Sequence, residues 1–249
     1  MAMQLAVFSE SQDSALLVPV AAIADPSLTV SGDNIQIPGF TPNLFGVIGI
    51  GANTTRVQLV SPSLRRTVNP TIRPLNVGAE PLSPPVAVMF PGSPIALDAS
   101  EQLQAHAAED SAGAAQSTVV VFLSDGAISP VDGEIFSVRV TNASTLVAYT
   151  WINGAITFDQ VLPVGKYAVV GARFEGAGLI AFRFVFQGST PRPGGIGCDA
   201  AADLDLPGQR LGGWGVWGEF DHNVPPTVDF LSLSADTAQV GVLDLIKIG

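Results

Sequence analysis

Apolar and polar residues alternate along much of this chain, in short runs broken by Gly, Pro, Asn and Asp. Alternation with a period of two puts successive side chains on opposite faces of an extended backbone, so such runs predict β-strands. Before Asp125-Gly126 the runs fall near 4–8, 15–23, 28–37, 45–51, 56–61, 71–76, 85–90 and 117–124. After it they fall near 134–141, 145–151, 155–162, 167–174, 179–187, 214–220, 227–233 and 237–248. The pattern is about eight strands, twice over.

The stretch KYAVVGARFEGAGLIAFRFVFQG, residues 166–188, shows what such strands demand. Ala168, Val170, Ala172 and Phe174, then Ile180, Phe182, Phe184 and Phe186, form one apolar face of a predicted hairpin closed by Glu175-Gly176-Ala177-Gly178. The other face carries Arg173, Glu175, Arg183 and Gln187, but also Tyr167, Val169, Leu179, Ala181 and Val185. Strands apolar on both faces need a covering layer on each side. Asn153-Gly154 predicts a type I′ turn between two further strands, and Gly32-Asp33-Asn34 another hairpin turn. One helix is expected near residues 98–110, where Asp98 and Glu101 have the spacing of a capping box and Leu103, Ala107 and His106 the spacing of a buried face. Seven prolines between Pro70 and Pro94 predict an irregular, extended segment, and Gly188–Gly213 a second long connection.

Composition narrows the picture. Of 249 residues only 13% are charged and 47% are hydrophobic, against roughly 25% charged in a typical soluble domain. A chain with so few charges has either a surface of small polar residues or surface covered by other subunits. The formal charge of −11 and the presence of only two lysines, Lys166 and Lys247, argue against direct nucleic-acid binding, which rests on phosphate neutralisation. The one local basic group is Arg65-Arg66 with Arg73 nearby. The first 24 residues lack a basic leading segment and carry Glu10, Asp13 and Pro19, so neither a signal peptide nor a membrane span is expected.

Candidate chemistry is sparse. Cys198 is alone and predicts no intramolecular disulfide. Asp199, Asp203 and Asp205 offer carboxylates of the kind Ca²⁺ takes, but their spacing matches no EF-hand loop and reads better as a solvated acidic loop. His222 follows Glu219 and Asp221 in a strand-to-turn segment and reads as a turn histidine. No G-x-S-x-G elbow, P-loop, dinucleotide fingerprint or Cys/His metal spacing is present, so no catalytic residue, metal or cofactor is assigned and no enzyme is expected. In LGGWGVWGEF, Trp214 and Trp217 are expected on opposite faces of one strand, as packing anchors or as a sugar-stacking pair, with packing preferred.

About eight strands twice over, one short helix, long Pro-rich connections and few charges together resemble the double jelly-roll major capsid proteins of tailless icosahedral DNA viruses and bacteriophages. The resemblance spans nearly the whole chain and rests on layout. It implies an all-β jelly-roll β-sandwich fold with two jelly rolls side by side, residues 1–126 and 127–249. It further implies a viral structural protein of the virion capsid, made in the host cytoplasm and forming a homotrimer for icosahedral assembly. The partners it implies are other copies of the chain, minor capsid or spike proteins and, in membrane-containing viruses, an internal membrane. Subunit contacts are expected in the irregular stretches Pro62–Pro94 and Gly188–Gly213. Two alternatives share the all-β pattern: a phage decoration, spike or tail protein, and a carbohydrate-binding β-sandwich. The last requires Trp214 or Trp217 to be exposed.

Overall fold

Twenty strands and one short helix make up the computed structural model, which describes residues 2–51, 53–67, 71–72, 87–110, 113–198, 206 and 208–249. The chain divides into two compact units, residues 6–127 and residues 1–5 with 128–249. The first eleven strands are β1 (Met3–Gln12), β2 (Val18–Val20), β3 (Val30–Ser31), β4 (Asn34–Gln36), β5 (Asn43–Ile50), β6 (Thr54–Val60), β7 (Thr71–Ile72), β8 (Ala87–Met89), β9 (Ile95–Ala96), β10 (Gln102–Glu109) and β11 (Ala115–Ser124). The helix α1 (Pro62–Thr67) lies between β6 and β7. The rest are β12 (Phe136–Asn142), β13 (Ile152–Ala155), β14 (Thr157–Phe158), β15 (Lys166–Glu175), β16 (Leu179–Val185), β17 (Gly194–Ile196), β18 (Gly218–Asp221), β19 (Thr227–Ser232) and β20 (Gln239–Lys247).

Each unit contains two sheets. In the first the orders are β1-β11-β5-β8, with β9 also on β5, and β3-β4-β10-β6-β7, with β2 also on β10. In the second they are β14-β12-β20-β15-β18 and β13-β19-β16-β17. Take β2 to β4 as one excursion and set aside the short strands β9 and β14. Both units then place their eight successive strands in the orders 1-8-3-6 and 2-7-4-5. First strand beside last, with the chain repeatedly crossing between two sheets, is the jelly roll. The fold is therefore an all-β jelly-roll sandwich, built twice.

The alternating pattern explains the packing. In the first unit Ala6 and Phe8 of β1, Leu44 and Val47 of β5, and Val119, Val121 and Leu123 of β11 face Val57 and Leu59 of β6 and Leu103, Ala105 and Ala107 of β10 in one core. The opposite face of the β11 sheet is apolar too: Val120 and Phe122 are fully buried, and the Phe122 ring meets Phe45 edge-on at 5.5 Å. In the second unit Phe174 of β15 meets Phe182 and Phe230, on the opposing sheet, at 4.8 and 5.1 Å between ring centroids.

Three expectations are corrected. Residues 98–110 are not helical: 102–109 form β10, bonded to β4 and β2 on one side and β6 on the other. In Q-L-Q-A-H-A the buried residues are Leu103, Ala105 and Ala107, a period of two, and pairing on both edges overrides helix propensity. Ser100 takes a left-handed backbone (φ 69°), and the Glu101 carboxylate accepts from Ser63 N and Oγ rather than capping its own segment. The helix lies at Pro62–Thr67, where Ser61 Oγ accepts from Leu64 N (3.1 Å) and Pro62 occupies the first helical position.

Asn153-Gly154 is not a turn but the middle of β13, paired with Asp229 and Val228. A Cβ on Gly154 would sit 2.1 Å from Asn142 Nδ2, so glycine here makes room for a packed side chain. Nor is 166–188 a hairpin. β15 and β16 belong to different sheets, and 176–178 is the corner by which the chain crosses the sandwich. By contrast, Gly32 (φ 59°) does close the β3–β4 hairpin, with Ser31 opposite Asn34.

The two-sided apolarity of β15 has a local cause. Val169 pairs with Leu245 but Gly171 with Asp244, so Val170 is the extra residue of a β-bulge. A one-residue slip exchanges the faces of a strand. Val169, Ala172 and Phe174 thus share a face with Leu245, Leu243 and Gly241, their register partners. Tyr167 joins them, stacked on Phe220 at 5.7 Å and donating its hydroxyl to Pro163 O at 2.6 Å.

Candidate interaction surfaces

Trp214 and Trp217 are 2% and 3% exposed. They stack on each other at 6.2 Å, and Trp217 also stacks on Phe182 at 6.3 Å. They do not lie on opposite faces of a strand, because 211–214 is a turn, irregular backbone with Gly215 at φ 73° follows it, and β18 starts only at Gly218. Gly208 (φ 89°) lies against the Trp214 indole, where a Cβ would come within 2.4 Å of Nε1. Neither ring is open to a ligand from solvent.

His222 Nδ1 lies 2.8 Å from the Asp221 carboxylate, and His222 N donates to Gly165 O at 3.0 Å, so this histidine ties two chain segments together. Cys198 is buried with its thiol toward Phe174 O at 3.3 Å. Asp199, Asp203 and Asp205 lie outside the described residues, as do Arg73 and much of the two stretches expected to make subunit contacts. Among the described residues no three His, Cys, Asp or Glu side chains come together as a metal site.

The structure assembles two charged groups that sequence spacing did not join. On the face of β15 away from the aromatic core, Arg139, Arg173 and Arg210 line a cavity of about 240 Å³ with Glu175, Val240 and Val242. That is below the roughly 300–1,000 Å³ of typical small-molecule sites. Its fixed point is Asp244, a fully buried residue that accepts from Arg210 Nε (2.7 Å) and Nη2 (2.9 Å), Leu211 N (2.8 Å) and Ser137 Oγ (2.7 Å). Burial opposes its charge, but these hydrogen bonds and the Arg210 guanidinium outweigh it and hold its pKa below the ordinary carboxylate value. Arg139 and Arg173 pair with Asp159 and Glu175 at 3.1 and 3.5 Å, so the cluster is charge-balanced.

The second group is Arg183, Asp229, Asn153 and Trp151. Arg183 Nε donates to Asp229 at 2.9 Å, Asn153 Nδ2 donates to the same carboxylate at 2.7 Å, and the guanidinium lies 4.1 Å from the Trp151 ring centroid. Arg183 is fully buried. An arginine on the predicted wet face of β16 is thus covered by the segment leading into β13. Its presence among apolar neighbours was the only hint in the sequence.

These surfaces belong to a twice-built jelly-roll sandwich whose described cavities are small. No family model matches the chain, and no curated protein matches it. Among solved structures it is similar to the crystal structure of the major capsid protein P2 from bacteriophage PM2, at 12% identity over 99% of this chain and 98% of that one, with a TM-score of 0.24. The order of strands in the two sheets of each unit, and not that likeness, defines the fold.

Proposed function

We propose that this chain is a structural virion protein, the major capsid subunit of a tailless icosahedral virus or phage, and that it acts without catalysis or cofactor. The observation that carries this reading is the repetition of one jelly-roll strand order twice within 249 residues. A closed pair of packed sheets leaves few open edges, which suits a subunit that must associate through chosen surfaces rather than by strand addition. Sparse charge fits a surface partly covered by neighbours, and the −11 balance fits a shell that does not contact the genome directly. The working unit is a homotrimer, and minor capsid or spike proteins are its further partners. The buried Trp214 and Trp217 speak against the sugar-binding alternative.

Light scattering behind a sizing column, with negative-stain microscopy of the peak, tests the reading. A mass near three times the 25.7 kDa chain, or closed particles, is expected. A monomer at every concentration would sink it. A stable small oligomer that never closes into shells under any assembly condition would point instead to a decoration or spike protein.

A further inference from the structure

Leu103, Ala105 and Ala107 turn alternate residues of β10 into the core of the first unit, and the next position in that series is Glu109. A β-bulge after Ala108 sets Glu109 opposite Thr54 instead of Thr55. Glu109 is 2% exposed, and Thr54 and Ser117 beside it are fully buried. Glutamate is almost never buried to this degree unless its charge is paired. Among the described residues no Lys, Arg or His forms an ion pair with Glu109. Thr54 Oγ1 donates to Glu109 Oε1 at 3.0 Å, and Ser117 Oγ donates to the same oxygen. The two hydroxyl oxygens also lie 2.7 Å apart. Each has already given its proton to Oε1, so with Glu109 ionised this third contact has no proton and lone pairs face each other. Gln12 Nε2 donates to Ser117 Oγ at 3.3 Å and does not supply the missing proton. Glu109 Oε2 is buried and accepts from no described residue. Gly51 completes the group: a Cβ there would overlap Thr54 Oγ1 and come within 2.9 Å of Gln116 O, so glycine leaves the hydroxyl its place.

We propose that Glu109, Thr54 and Ser117 hold a monovalent alkali cation, Na⁺, buried inside the first unit. Thr54 belongs to the sheet of β10 and Ser117 to the sheet of β11, so the ion ties the two sheets together. Carboxylate and hydroxyl oxygens are hard donors and suit hard cations rather than soft metals. One carboxylate balances one positive charge, whereas a divalent ion would leave net charge buried, which is costly. Ca²⁺ also takes about six to eight oxygens and draws on several carboxylates, and among the described residues no second Asp or Glu joins this group as part of a metal cluster. Protonation answers less well. A proton on Oε1 repairs the triangle but leaves Oε2 without a partner, and a proton on Oε2 finds no acceptor there. The ion is structural, and its binding does not depend on shell formation.

Thermal unfolding of the full chain tests it, at one protein concentration, in NaCl or in choline chloride of equal ionic strength, with a chelator present. Choline is too large for a buried group of oxygens, so the comparison separates binding from screening. The midpoint is expected to be about 3–6 °C higher in NaCl once Na⁺ exceeds its dissociation constant roughly tenfold. Glu109→Gln keeps the shape, removes the charge and should lose that difference between the salts. Should this variant fail to fold, Ser117→Ala keeps the carboxylate and removes one ligand, and more Na⁺ should then be needed for the same rise. Equal midpoints of the native chain in the two salts, from millimolar to molar concentration, overturn the proposal. So does a Na⁺-dependent rise that persists unchanged in the variants. Protection by Ca²⁺, with the chelator left out, that Na⁺ does not reproduce would also overturn it, since the site would then not be matched to a single charge.

Discussion

Asp244 is a fully buried carboxylate held by Arg210, Leu211 N and Ser137. Its pKa is depressed in the folded state, so the stability it contributes is present above the ordinary carboxylate value near ~4 and is lost as the pH falls through the lower folded value. Asp244→Asn is expected to cost about 2–4 kcal/mol at neutral pH, because it leaves Arg210 without its bidentate partner. It should also flatten the loss of stability below pH ~4, which urea titrations at several pH values would show. Unchanged stability at neutral pH, or an unchanged acid slope, would refute this role. Nothing near Asp244 in the sequence announced it, since Arg210 and Ser137 lie 34 and 107 residues away. Gly154 misled for the opposite reason: Asn-Gly is a strong local turn pattern, but the space Asn142 needs is set by a neighbouring strand.

At the scale of elements, alternation was legible and pairing was not. β10 shows the distinction. Its residues favour a helix locally, yet only a strand buries Ala105 together with Leu103 and Ala107. Ala105→Asp should therefore cost about 3 kcal/mol or more by placing a charge in the core, while Gln104→Lys on the opposite face should change stability by less than ~0.5 kcal/mol. Thermal and urea unfolding of the two variants decide it, and equal effects would contradict the strand register. The bulge at Val170 was equally hidden, because one extra residue leaves the composition of the strand unchanged while exchanging its faces. The two-sided apolarity of 166–188 was visible from the start. Its resolution needed the bulge and the crossing between sheets.

For the whole molecule, the repeated strand order is the feature with functional weight. If the native species is a trimer, unfolding is coupled to dissociation, and the midpoint temperature should rise with protein concentration. A midpoint independent of concentration over a wide range would identify a self-sufficient monomer and count against the capsid reading. The −11 charge and the scattered arginines predict weak, strongly salt-dependent contact with nucleic acid at most.

By itself the sequence determined the class of this protein: short alternating strands, turns rich in Gly and Pro, and too little charge to clothe a large free surface. Those properties are local, because which face of a strand is apolar depends only on neighbours two residues away. The tertiary structure decided the rest. It chose β11 beside both β1 and β5, turned an expected hairpin into a crossing between sheets, and stacked Trp214 and Trp217 inside. Each of these depends on which distant segment completes a core or a hydrogen-bond ladder, and that choice is made by packing across the whole unit.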